Sequence, residues 1–290
     1  MADIDFVVPM VFPDDVLWQR DFKKSNSSYI DKHVRWRSWG TERCLIRLVK
    51  KNMPWIRTIH VLLARKSQLQ YWMNDEKVHI VYHKDFIPEK FLPLFNSCAI
   101  EMFLHNIPGL SEQFLYGNDD MYPLYRLKKS DFFLDGKPCI KMKSFHYPKE
   151  PNAFQKSCMC GLNFIASRFG RKYTDTWLKN GHSIAPMLKS TCKDIIENRW
   201  EEVEMTITSF RTDYNLNQYI YSWWQYLSGN YADRSPRYRY IGAGGHTKEE
   251  MADIISLKDA IVCVNDNSEF KDYEEYAKTL NAELEKILNS

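Results

Sequence analysis

Two adjacent carboxylates, Asp119 and Asp120, close the stretch FNSCAIEMFLHNIPGLSEQFLYGNDD, residues 95–120. With Asn118 they follow a short apolar run, Phe114-Leu115-Tyr116, that reads as a buried strand. In open α/β sheets the ligand crevice lies at the carboxyl ends of the strands. Hard cations such as Mg²⁺ are held there by one or two carboxylates plus a substrate's phosphates. The pair therefore suggests a divalent-metal site for a phosphate-bearing substrate. Asn-Asp-Asp is also ordinary turn chemistry, and a solvated turn fits the same residues. A second apolar run, Ala260 to Val264, empties into Asn265-Asp266-Asn267 and repeats the layout.

Other residue types could serve phosphate chemistry. Arg35-x-Arg37 precedes a helical pattern that Arg43 enters, and forked guanidiniums match phosphate oxygens as ammoniums do not. Solvated surface arginines are the plain alternative. His182, in Gly181-His182-Ser183-Ile184-Ala185-Pro186, is of the type best suited to move protons near neutral pH, though an isolated histidine is more often structural. Asp14 and Asp15 stand after the first apolar run, either to contact substrate or to cap the next helix.

The elements that must position these groups alternate in type. Ile4–Val8, Ile56–Ala64, Val78–Tyr82, Phe114–Tyr116 and Ala260–Val264 read as buried strands, and helical patterns separate them. That order argues for one α/β domain with a mostly parallel, Rossmann-like sheet flanked by helices. Residues 1–125 and 255–290 read as the sheet core, and 144–250 as a mainly helical insertion carrying His182 and Arg211. Asp135-Gly136 marks a hairpin, and 229–248, with its GAGG, reads as a loop able to close over substrate.

Composition bounds the function. The chain has 290 residues, 44% hydrophobic and 27% charged, as a globular protein should. A net charge of +3 offers no field for nucleic acid, so none is expected as a partner. Seven scattered cysteines, with only Cys158 and Cys160 close together, and no signal peptide after Met1 suggest a cytoplasmic protein. No apolar run reaches the roughly 20 residues of a membrane span. The pairs Lys23-Lys24 and Lys128-Lys129 would suit peripheral contact with a membrane surface.

Taken together, four blocks resemble the Stealth family of sugar-phosphate transferases. They are IDFVV with Asp15 and Trp18; RWRSWGTERCLIRL with MPWIRTIHVL and LPLFNSCAIEMFLHNIPGLSEQFLYGNDD; GHSIAP with the later FRTD; and AIVCVND. The family includes bacterial capsular and exopolysaccharide enzymes and the animal subunit that phosphorylates lysosomal-enzyme glycans. The resemblance implies transfer of a hexose 1-phosphate from a nucleotide diphosphosugar, typically a UDP-hexose, to a sugar hydroxyl. The acceptor would be a glycan or lipid-linked oligosaccharide at the inner face of the cell membrane.

The same resemblance assigns roles. Asp119, Asp120 and Asp266 would hold Mg²⁺ or Mn²⁺, and Asp120 would be central to catalysis. His182 would accept the acceptor's proton or, in a second route, attack phosphorus itself. Arg211 and Arg37 would neutralise transition-state oxygens. Donor contacts would involve Asp15, Arg35, Arg37, Arg43, Asn96, Glu101, His105, Asn118 and Asn265, with Glu101 and His105 on one helix face. A metal-dependent glycosyltransferase releasing UDP, and a non-catalytic polysaccharide-binding module, stand as the alternatives.

Overall fold

The computed structural model describes residues 2–26, 36–266 and 272–290; Arg35 and Asn267 lie outside them. The strands in chain order are β1 (Ile4–Pro9), β2 (Ile59–Leu63), β3 (Val78–Tyr82), β4 (Gln113–Tyr116), β5 (Met121–Pro123) and β6 (Phe133–Leu134). They continue with β7 (Lys137–Pro138), β8 (Lys143–His146), β9 (Thr176–Lys179), β10 (Ala185–Leu188), β11 (Tyr238–Gly242) and β12 (Ile261–Asn265). The helices are α1 (Val16–Ser25), α2 (Glu42–Asn52), α3 (Ser97–Glu101), α4 (Ala153–Ser167), α5 (Lys189–Asn198), α6 (Trp200–Glu204), α7 (Tyr219–Leu227), α8 (Lys248–Ser256) and α9 (Tyr273–Asn289).

The main sheet runs β10-β4-β1-β2-β3, with four parallel strands and β10 antiparallel at its edge. The fold is thus α/β, mostly parallel and flanked by helices. β1 and β2 are buried almost throughout, interrupted only by Asp5 and His60, because both faces of a parallel sheet are covered. Ile4, Phe6 and Val8 enter one core cluster with α2, α8 and α9, while Val7 enters the other with α3, α4, α5 and α7. Near the amino end of β1, buried Asp5 accepts from Arg57 (2.9 and 2.6 Å), His60 Nε2 (3.1 Å) and the Ser111 N–H (2.8 Å). Burial opposes ionisation there, yet these hydrogen bonds hold the carboxyl well below the usual range.

After β4 the chain leaves the main sheet. A Cβ on Gly117 would meet the Phe6 ring at 2.9 Å, so only glycine lets the turn pass this close to β1. The turn delivers β5 into a second sheet, β11-β12-β5, where β12 runs parallel to β11 and antiparallel to β5. The last strand therefore does not extend the main sheet. It meets the end of β4 from the side.

Two expectations change here. The segment 144–250 holds α4 to α7 but also contributes β8, β9, β10 and β11, and β10 is hydrogen-bonded into the main sheet. Pro186 masks β10 in the sequence, because a residue without an N–H suits only an edge strand, its position here opposite Leu115. The loop expected over 229–248 contains β11, whose Tyr238–Gly242 pairs residue by residue with Ile261–Asn265. The hairpin forms as expected, with Asp135 (φ 51°) and Gly136 (φ 79°) in the left-handed region.

Candidate active site

The β4–β5 turn and the end of β12 meet. The Val264 N–H donates to the Asp120 carbonyl at 3.0 Å, and Asn265 Nδ2 donates to Asp120 Oδ2 at 3.1 Å. Tyr240 OH, from β11, donates to Asn265 Oδ1 at 3.0 Å and so fixes which end of that amide faces Asp120. Cys263 Sγ also donates to Asp120 Oδ2, at 3.4 Å. Burial and the Asp120 charge push the Cys263 thiol well above its ordinary range, which keeps it a donor. Asp120 Oδ1 is buried and has no hydrogen-bond partner among the described residues.

The edge strand brings in the imidazole. His182 lies just before β10, and one of its ring nitrogens, Cys263 Sγ and an Asp120 oxygen all lie within 4.8 Å of one another. His182 Nδ1 is 2.8 Å from Tyr219 OH on α7, and its ring meets that of Tyr240 edge-on at 5.9 Å. Burial lowers its pKa; the Asp120 charge opposes this, while Lys179 and Arg211 reinforce it. Burial thus favours the neutral imidazole, the form that can accept a proton.

Asp119 is flanked by like charge. Burial, then Asp120 and Glu42, push its carboxyl well above the usual range. Glu42, the first residue of α2, is itself raised by burial, against a 2.5 Å hydrogen bond from Ser38 Oγ. Among the described residues no basic side chain forms an ion pair with Asp119 or Asp120. Clustered carboxylates without a countercharge, one with an orphaned buried oxygen, are the donor set a hard divalent cation completes. Asp119 and Asp120 are the residues that would hold Mg²⁺ or Mn²⁺.

The other residues singled out from sequence are placed as follows. Both oxygens of Asp266 are engaged: Arg37 forks onto them (2.5 and 2.6 Å), and Trp39 Nε1 donates to Oδ2 at 2.9 Å. Arg37 also stacks over the Tyr273 ring at 4.4 Å. Arg211 is exposed and donates to Ser97 Oγ at 2.5 Å. Its neighbour Phe210 stacks on Phe95, which steadies that loop. Asn118 opens the turn, its carbonyl accepting from the Met121 N–H at 3.2 Å.

Glu101 and His105 do not share a helix face, because α3 ends at Glu101 and a separate turn carries Leu104–Asn106. Glu101 is a buried clamp, accepting from Tyr116 OH (3.0 Å) and the Gln218 N–H (2.7 Å). Burial pushes it up to about 7. His105 is buried too, and burial pushes it down to about 4. Asn96 caps α3 and bonds to Asn215 Oδ1 at 3.2 Å. Asp15 caps α1 and accepts from Ser67 Oγ at 2.7 Å. Arg43 reaches Tyr71 OH at 3.3 Å.

Sequence reasoning missed Glu42, Tyr219, Tyr240 and Cys263. Tyr219 reads as core within an aromatic helix, and Cys263 as one of seven scattered thiols. Neither has a local signal, since each role depends on a partner far along the chain.

Comparison with known proteins fits this geometry. Residues 35–140 match the family model described as Stealth protein CR2, conserved region 2, and that span carries both turn carboxylates. Over that span the chain is similar to the Stealth family. Full-length similarity extends to the receptor polysaccharide phosphotransferase WefC of Streptococcus gordonii, 27% identical over 98% of this chain and 96% of that protein. It extends also to the capsular polysaccharide phosphotransferase WcwK of Streptococcus pneumoniae, 28% identical over 99% and 98%. A capsular polysaccharide phosphotransferase of Streptococcus thermophilus, CpsJ, is 39% identical over 47% of this chain and 59% of its own length.

Proposed function

We propose that this chain is a phosphotransferase of capsular or exopolysaccharide synthesis. It moves a hexose 1-phosphate from a nucleotide diphosphosugar, a UDP-hexose foremost, to a sugar hydroxyl. The observation that carries this reading is the convergence of Asp120, with its unpartnered Oδ1, and His182, its neutral form favoured by burial, at the carboxyl end of the sheet. The naming of full-length relatives as polysaccharide phosphotransferases supports it.

Phosphoryl transfer leaves the protein mainly positioning and charge neutralisation. In this reading the acceptor oxygen bonds to the phosphorus that bears the hexose. The bond from that phosphorus to the bridging oxygen breaks, and a nucleoside monophosphate leaves. His182 takes the acceptor's proton on Nε2, while its Nδ1–H donates to the Tyr219 oxygen and holds the ring in place. Arg211, tethered to Ser97, neutralises charge on the transferring oxygens. Mg²⁺ or Mn²⁺ on Asp119 and Asp120 would offset the charge of the diphosphate. Among the described residues no helix is long and apolar enough to cross a membrane.

A panel of UDP-, GDP- and CMP-sugars, with Mg²⁺ or Mn²⁺ and a glycan acceptor mixture, tests the reading by the nucleotide released. UMP from a UDP-sugar, lost on chelation and in Asp120→Ala, is the expected result. Release of UDP, or full turnover in excess EDTA, would overturn it.

A further inference from the structure

Next to Gly181, the residue before His182, lies an open groove of about 450 Å³, bounded by the antiparallel β8–β9 pair and the segment entering β11. Four cations line it: Lys141, Lys143, Lys179 and Arg237. Lys141 pairs with Asp233 at 3.1 Å, and Arg237 shares Asp259 with Arg239. Among the described residues Lys143 and Lys179 have no carboxylate partner. They are nonetheless register partners across β8 and β9. Like charges placed directly opposite each other cost an antiparallel strand pair stability, and a bound anion removes that cost.

The walls add surface for a sugar. Phe145, on the same face of β8 as Lys143, is 45% exposed, and Tyr238 is 38% exposed. Asn180, also lining the groove, gives its amide N–H to Ser222 Oγ, while its Oδ1 is buried without a partner. Continuity with the reaction centre comes from β11. Tyr238 and Tyr240 are two apart and so share a strand face, the first lining the groove and the second against the His182 ring. A Cβ on Gly181 would lie 2.3 Å from the Tyr238 ring, so the glycine before His182 lets groove and centre adjoin.

We propose that this groove binds a phosphate- or pyrophosphate-bearing part of the acceptor glycan, its anion on Lys143 and Lys179 and its sugar against Phe145 and Tyr238. The assignment to the acceptor rests on the phosphotransferase reading, in which His182 faces the incoming hydroxyl. Binding of a sugar-bearing anion can be measured without turnover, so failure of one claim is separable from failure of the other.

The test is calorimetric titration of the full chain in EDTA with inorganic pyrophosphate and with α-D-glucose 1-phosphate. Both should bind, and methyl α-glucoside should not. Lys143→Glu should weaken both anions at least about tenfold, the scale of reversing one charge at a phosphate contact. The same substitution places opposite charges across the β8–β9 pair and should raise the melting temperature, which shows that the variant folds. Asp120→Ala should leave both affinities unchanged, and excess UDP-glucose should not displace pyrophosphate. Absence of binding to the wild-type chain, unchanged affinity in Lys143→Glu, or loss in Asp120→Ala would overturn the proposal. Displacement by UDP-glucose would reassign the groove to the donor and overturn it too. Vesicles of phosphatidylglycerol supply the remaining arm: binding them through Lys143 while ignoring both soluble anions would make the groove a membrane contact instead.

Discussion

Asn265 Nδ2 donates to Asp120 Oδ2 across 3.1 Å, joining side chains 145 positions apart in the sequence. This bond turns Asp120 so that Oδ1, not Oδ2, is the oxygen left without a partner. Loss of such a supporting contact at a metal ligand typically costs 10–100-fold in affinity. Asn265→Ala should therefore raise the Mn²⁺ concentration needed for half-maximal turnover by about 10–100-fold. Its melting temperature should stay near that of the wild type. An unchanged metal requirement would separate Asn265 from the centre.

His182 and Tyr219 should be distinguishable by degree. Removing a general base costs at least about 100-fold in turnover, so His182→Ala should fall by that much with its circular dichroism intact. Tyr219→Phe removes only the 2.8 Å contact to Nδ1. It should lower kcat by about tenfold with the donor KM unchanged, as expected of a group that orients the base. Equal losses in the two variants would contradict the division of roles.

Arg37 and Asp266 form a forked pair in which the Arg37 side chain is 3% exposed and that of Asp266 13%. Breaking a buried pair by deleting one partner costs about 3–5 kcal/mol, since the other charge is left stranded. Arg37→Ala and Asp266→Ala should each destabilise the fold on that scale. The double variant should lose much less than the sum of the two. Additive losses in urea titrations would show that the pair does not act as a unit.

Glu101 gives a pH signature. Burial holds its carboxyl up at about 7, against the pull of the Gln218 N–H, the Arg211 charge and Tyr116 OH. The folded chain thus keeps a proton that the unfolded chain releases in the ordinary carboxylate range. Stability falls as pH rises from that range through about 7. Each tenfold difference in proton affinity between the folded and unfolded chain is worth roughly 1.4 kcal/mol. Between about pH 5 and about pH 8, Glu101→Gln should therefore gain about 2–3 kcal/mol on the wild type, read from urea titrations. A constant difference between the two at both pH values would contradict this.

The sheet is readable from the sequence because its central strands, covered on both faces, are largely apolar runs, and the partly exposed edge strand β3 also falls at Val78–Tyr82 as read. β10 is not, because a four-residue edge strand containing Pro186 carries no such run. The turn carboxylates stood out through their place after β4. Glu42 did not, since only the fold brings the start of α2 near Asp119, where its charge acts on that carboxyl. Asp266 shows the limit of reading by analogy: the second strand end does arrive at the first, but Asn265 makes the contact to Asp120 while Arg37 and Trp39 engage Asp266. Side-chain direction at a strand end depends on register, which the residues alone do not state.

Attack on phosphorus, and not on the anomeric carbon, is the step on which the proposed function turns. A UDP-hexose carrying ³²P in the phosphate next to the sugar decides this when incubated with the enzyme, Mn²⁺ and acceptor. The expected result is label in the glycan and unlabelled UMP in solution, both lost in His182→Ala. Label retained in released UDP, with an unlabelled glycan, would contradict it.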